Sequence, residues 1–129
     1  MPDARVLELT AEQRRFYEAN GYVKVPGVFN ASEARELAGW VEEVANFPVS
    51  VTTEDKWMQH VEDTVHGPRL TRTEFFVAYH GPLGRLLMAG RVPSLVGSAL
   101  DEPVFLDKEK INYKYPGGAG YHAHQDAPA

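Results

Sequence analysis

An α+β or mainly β chain is what the sequence predicts, with helices leading and the first strands of a sheet following. Three observations carry it. Thr10 is followed three residues on by Gln13, and Asn30 by Glu33, two capping-box signatures at helix starts. Ala34, Leu37, Ala38, Val41, Val44 and Ala45 recur at helical spacing. Ile111, Tyr113 and Tyr115 alternate with Lys110, Asn112 and Lys114, the period of a half-buried strand.

The elements follow in order. Gly21 ends the first helix as a left-handed cap. Tyr22 to Val25 reads as a short strand, and Pro26-Gly27 as a turn. The second helix opens at Asn30 and closes at Pro48. Residues 49–70 are polar, contain Trp57 and two histidines, and read as part loop, part strand. Phe75 to Tyr79 fits a helical turn or a strand. Leu83 to Met88 and Pro93 to Leu100 read as short helices, with Pro93 suited to a first turn. Val104 to Leu106 and Lys110 to Tyr115 read as strands. Gly117-Gly118-Ala119-Gly120 is a flexible turn that lets the chain swing back. It is no phosphate loop, because no Gly-Lys-Ser/Thr follows. No repeat or linker divides residues 1–129, which read as part of one domain.

Composition narrows the functional classes. The chain has 129 residues, 43% hydrophobic and 24% charged, in the range of a folded globular domain. A net charge of -5 without a basic cluster argues against nucleic acid. The absence of cysteine excludes disulfides, thiolate metal sites and a cysteine nucleophile. It fits a reducing compartment, so a cytoplasmic location is expected. Met1 to Arg5 has no apolar signal core. The most apolar stretch, Leu86 to Leu100, is broken by Arg91 and Pro93, so no membrane partner is expected.

His124-Gln125-Asp126 carries the chemistry. On an extended segment, alternation puts the imidazole and the carboxylate on one face. These are two of the three ligands of a 2-His-1-carboxylate iron site. The competing reading is an ordinary polar strand end. His122 shares the face of His124, whereas Gln125 points away. The Lys110, Asn112 and Lys114 face is either solvated or a set of ammonium and amide donors for an anion. His60, His66 and His80 read as surface or internally satisfied histidines. Trp57, Phe75 and Phe76 read as core.

Two blocks raise the His-x-Asp signal above chance. The stretch 107–128, DKEKINYKYPGGAGYHAHQDAP, and the stretch 16–29, FYEANGYVKVPGVF, resemble the phytanoyl-CoA dioxygenase (PhyH) family, in the right order. The resemblance implies a double-stranded β-helix, or jelly roll, flanked by N-terminal helices. It implies Fe(II) held by His124 and Asp126, with 2-oxoglutarate and O2 as cosubstrates. It sets Asn112 first, then Lys110, then Lys114, beside the cosubstrate, and lets Arg72 face the cleft. Family members oxidise a small-molecule substrate, commonly by hydroxylation, coupled to decarboxylation of 2-oxoglutarate.

The resemblance covers the N-terminal part of the family's domain. The distal histidine ligand and the basic residue that anchors 2-oxoglutarate come later in the family, beyond Ala129. The expectation is therefore an N-terminal fragment of a dioxygenase, inactive alone. Its helical region would span about 8–100 and the start of the β-helix about 103–129. The other class is a non-catalytic metal- or protein-binding module that completes its sheet with a partner. In isolation the chain is expected to self-associate, because strands without partners leave edges and apolar faces uncovered.

Overall fold

Two capping boxes start the N-terminal helices of the computed structural model, which describes residues 5–47, 59–118 and 120–124. In α1 (Ala11–Asn20), Thr10 Oγ1 accepts the Gln13 N–H at 3.2 Å and Gln13 Oε1 accepts the Thr10 N–H at 2.9 Å. Gly21 closes it at φ 76°, a conformation glycine adopts without a Cβ penalty. In α2 (Ala31–Ala45), Asn30 Oδ1 accepts the N–H groups of Ser32 and Glu33, and Glu33 Oε2 accepts the Asn30 N–H. α2 stops at an Asn46 cap; Pro48 and Trp57 lie outside the described residues.

Between the helices the expected strand Tyr22 to Val25 does not form. A strand is a paired object, and no ladder partner runs beside it among the described residues. Tyr22 instead meets Phe16 edge-on at 5.3 Å. The Pro26-Gly27 turn is present, with Gly27 at φ 73°.

Strands β1 (Gln59–Thr64) and β2 (Gly67–Glu74) make an antiparallel hairpin with a bulge between His60 and Val61. The hairpin falls in the middle of the region expected to be helical. A 3-10 turn, Phe76–Ala78, follows, then α3 (Gly81–Met88) and α4 (Arg91–Leu100). Strand β3 (Lys110–Asn112) pairs antiparallel with β2, so the sheet order is β1-β2-β3. The architecture is α+β.

Three expectations are corrected here. β3 ends at Asn112 rather than Tyr115. One more bond, Tyr113 N–H to Thr71 O, extends it before the Pro116-Gly117 turn draws the chain away. Val104 to Leu106 joins no ladder, and Phe105 is 92% exposed. Phe75 is not core: it sits at φ 59° and is exposed, while its neighbour Phe76 turns inward.

The core lies between one face of the sheet and helices α2 and α3. Val44, Phe76 and Leu83 are buried, with Leu37, Trp40, Phe47, Leu86 and Ile111 packed around them. Gly84 lets α3 close on the 3-10 turn, since a Cβ there would stand 3.1 Å from the Val77 carbonyl oxygen. The N-terminal segment runs along α4, where Ser94 and Ser98 hydroxyls accept the Leu7 and Leu9 N–H groups. No helix among the described residues is long and apolar enough to cross a membrane.

Arg91, a mere interruption of an apolar run in the sequence, ties α4 to α2. It is buried, and its guanidinium grips Glu33 at 2.6 and 3.1 Å, donates to the Val28 carbonyl and stacks on Phe29. Arg5 also donates to Glu33. The Arg91 hydrogen bond, followed by the Asn30 N–H, lowers the Glu33 carboxyl from 4.5 to about 2. A depressed carboxylate stabilises the fold above its unfolded value and loses that contribution as pH falls through its folded one. The chain should therefore lose melting temperature between pH 4.5 and about 2. Glu33→Gln should melt lower at pH 7 and lose less over that window. Parallel pH-dependent slopes in circular-dichroism melts of the two proteins would exclude this role for Glu33.

Candidate functional site

Thr73 is fully buried and Ile111 packs on the core, so alternation sends Arg72, Glu74, Lys110 and Asn112 to the opposite face of the sheet. Register aligns the residues there. His60 pairs with Arg72, Arg72 with Asn112, and Glu74 with Lys110, in a row across the three strands. Arg72 Nη2 lies 3.2 and 3.3 Å from the two ring nitrogens of His60, and its Nε lies 2.8 Å from Glu74 Oε1. His60 Nε2 is 3.8 Å from Glu74 Oε2. A guanidinium only donates, so its partner in this contact is whichever His60 ring nitrogen carries a lone pair.

The guanidinium is thus held on two sides with a third of its side chain still exposed. Lys110 and Asn112 are exposed on the same face, as their alternation implies. Arg72, paired with Glu74, and Lys110 set two cationic side chains against one carboxylate on this face. On the inner face, the Tyr113 hydroxyl donates to Thr73 Oγ1 at 3.2 Å. Burial raises its pKa, which keeps it a neutral donor.

The other sequence-predicted group lies on the segment after the glycine turn. His124 Nδ1 is 2.7 Å from the His122 carbonyl oxygen. A carbonyl only accepts, so Nδ1 carries the proton, and in the neutral ring the lone pair is on Nε2. That is the form in which an imidazole ligates a metal, with the second nitrogen bonded to a carbonyl. The Tyr121 ring lies 6.4 Å from the His124 ring at 60°, and Lys114 Nζ sits 4.5 Å from the Tyr121 ring centroid. His122 is exposed and meets His124 through its backbone. Asp126 and Gln125 lie outside the described residues. Among the described residues no three His, Asp or Glu side chains stand together as a metal site.

The remaining histidines are accounted for. His80 caps α3: its Nδ1 accepts the Leu83 N–H and its Nε2 donates to Glu43 Oε2 at 2.9 Å. It is buried beside Trp40 and Phe47. His66 is exposed at the hairpin turn. Sequence reasoning missed the partnership of His60 and Glu74 with Arg72. The available signal was Arg72-Thr73-Glu74, where opposite charges two apart share a strand face.

Comparison with known proteins gives a consistent set. Residues 17–129 match the family model described as phytanoyl-CoA dioxygenase (PhyH). The chain is 46% identical over 121 residues to a methylphosphonate hydroxylase of Gimesia maris, covering 94% of this chain and 45% of that protein. It is 37% identical over 122 residues to a 2-aminoethylphosphonate dioxygenase of an uncultured bacterium, covering 93% and 45%. A Stutzerimonas stutzeri protein named "Probable alpha-ketoglutarate-dependent hypophosphite dioxygenase" is 28% identical over 117 residues, covering 90% and 41%. The chain thus spans less than half the length of these curated relatives. No solved structure matches it.

Proposed function

Because the chain belongs to the phytanoyl-CoA dioxygenase (PhyH) family, we propose that it is the N-terminal part of an Fe(II)- and 2-oxoglutarate-dependent oxygenase. The whole protein, on this reading, hydroxylates a small organic substrate. The relatives named for methylphosphonate and 2-aminoethylphosphonate favour a substrate of the phosphonate class. Strands β1 to β3 open a double-stranded β-helix, with α2 and α3 packed outside and the Arg72, Lys110, Asn112 face turned inward.

One observation carries the proposal: the His122 carbonyl holds His124 in the tautomer a metal needs, inside the block that resembles the family's ligand motif. The residues present fit the iron. His124 and Asp126 supply an imidazole and a carboxylate, and a second histidine completes the set from sequence that follows this stretch. When bound, Fe(II) activates O2 for oxidation of the substrate. The chain's own residues do the positioning. The Asn112 amide and Lys110 ammonium donate to the anionic 2-oxo acid, and Arg72, braced by Glu74 and His60, adds positive charge behind them.

The cosubstrate role has a direct test in the full-length enzyme. Asn112→Ala and Lys110→Ala each remove a hydrogen bond to a charged group, so the KM for 2-oxoglutarate should rise roughly ten- to a hundredfold. Melting temperature should barely move, because both side chains are exposed. Unchanged KM values in both variants would mean that this face is simply solvated.

A further inference from the structure

We propose that Tyr121 is a positioning residue for His124 and that Lys114 acts through Tyr121, not on the cosubstrate. The ammonium, the phenol ring and the imidazole stand in sequence: Lys114 Nζ 4.5 Å from the Tyr121 centroid, and the Tyr121 ring 6.4 Å from that of His124. The glycine turn builds this stack. Gly117 takes φ 78°, the Gly118 N–H bonds back to the Tyr115 carbonyl at 3.0 Å, and a Cβ on Gly118 would stand 3.1 Å from that oxygen. The tight reversal brings Tyr121 back beside Lys114, two residues past the end of β3.

The stack has work to do because of where His124 sits. Residues 120–124 join no ladder, and Tyr121 and His124 are exposed. A ligand imidazole on such a segment must still be aimed to within tens of degrees. The His122 carbonyl sets its tautomer. The Tyr121 ring restricts the swing of the imidazole, and the cation over its face holds the ring in turn. This inference rests on the reading of His124 as a metal ligand, and the experiment separates the two.

The apo form of the full-length enzyme is titrated with Mn(II), and free Mn(II) is followed by electron paramagnetic resonance. Tyr121→Ala should weaken Mn(II) binding about ten- to a hundredfold, the usual cost of losing support for a ligand. Tyr121→Phe should bind within about twofold of the parent, since the ring and not the hydroxyl makes both contacts. Lys114→Met should weaken binding about three- to fivefold and have no effect in the Tyr121→Ala background. At saturating metal, Lys114→Met should keep the parent's KM for 2-oxoglutarate. Parent-like Mn(II) affinity in Tyr121→Ala, equal effects of Lys114→Met in both backgrounds, or a raised KM in Lys114→Met overturns the stack. Should Tyr121→Ala melt early, the exposed Lys114→Met change and the Tyr121→Phe rescue decide the question. A His124→Ala variant that binds Mn(II) like the parent rejects the ligand reading itself, and the stack falls with it.

Discussion

His124→Ala and Asp126→Ala in the full-length enzyme should each lower iron-dependent turnover of 2-oxoglutarate at least about a thousandfold. Losing support around a ligand costs ten- to a hundredfold in metal affinity or activity, and losing the ligand costs more. Asparagine or glutamine at His124 keeps some polarity but not the imidazole lone pair that the His122 carbonyl directs to Nε2. The measurement is release of CO2 from labelled 2-oxoglutarate at saturating Fe(II). Full decarboxylation by both alanine variants would remove the pair from the metal site and with it the main support for the proposed activity. The stretch alone should bind iron weakly, because two side-chain ligands leave the facial set incomplete.

The second large effect is on the fold. Phe76→Ala should cost about 3–5 kcal/mol, the range for truncating a buried phenylalanine. Phe76 is 3% exposed at the junction of α2, α3 and the sheet, packed with Val44 and Leu83. Typical whole-domain stabilities are about 5–15 kcal/mol, so this change should remove most or all of the cooperative unfolding. Phe105→Ala, at a ring that is 92% exposed, should move stability by less than about 0.5 kcal/mol. Urea titrations of the two variants beside the parent make the comparison. Equal losses would show that the core does not sit where Phe76 places it.

The two phenylalanines also show where sequence reading stops. Each lies in a short apolar stretch, Phe75-Phe76-Val77 and Val104-Phe105-Leu106, with no period long enough to assign a face. Phe76 becomes core because the chain turns at Phe75 with φ 59°, and α3 then closes over it. Phe105 stays outside because no strand runs beside it among the described residues. Tyr22 to Val25 failed as a strand for the same reason.

What the sequence determined by itself was local. Both capping boxes, the Gly21 cap, the helices after Leu83 and the polar and apolar faces of the Lys110 strand depend on residues a few positions apart. The His80 cap on the Leu83 N–H is equally local, although the bond from its other nitrogen to Glu43 is not. The His-x-Asp spacing and its flanking blocks, likewise contiguous, were enough to point to the family. Tertiary structure alone decided the rest. Glu33 and Arg91 are 58 residues apart, Arg72 and Asn112 meet only through strand register, and Lys114 reaches Tyr121 only because a glycine turn doubles the chain back. The physical reason is range. Caps and periodicity follow from backbone geometry within a turn or two, whereas register, burial and ion pairing depend on which distant segments the core brings together.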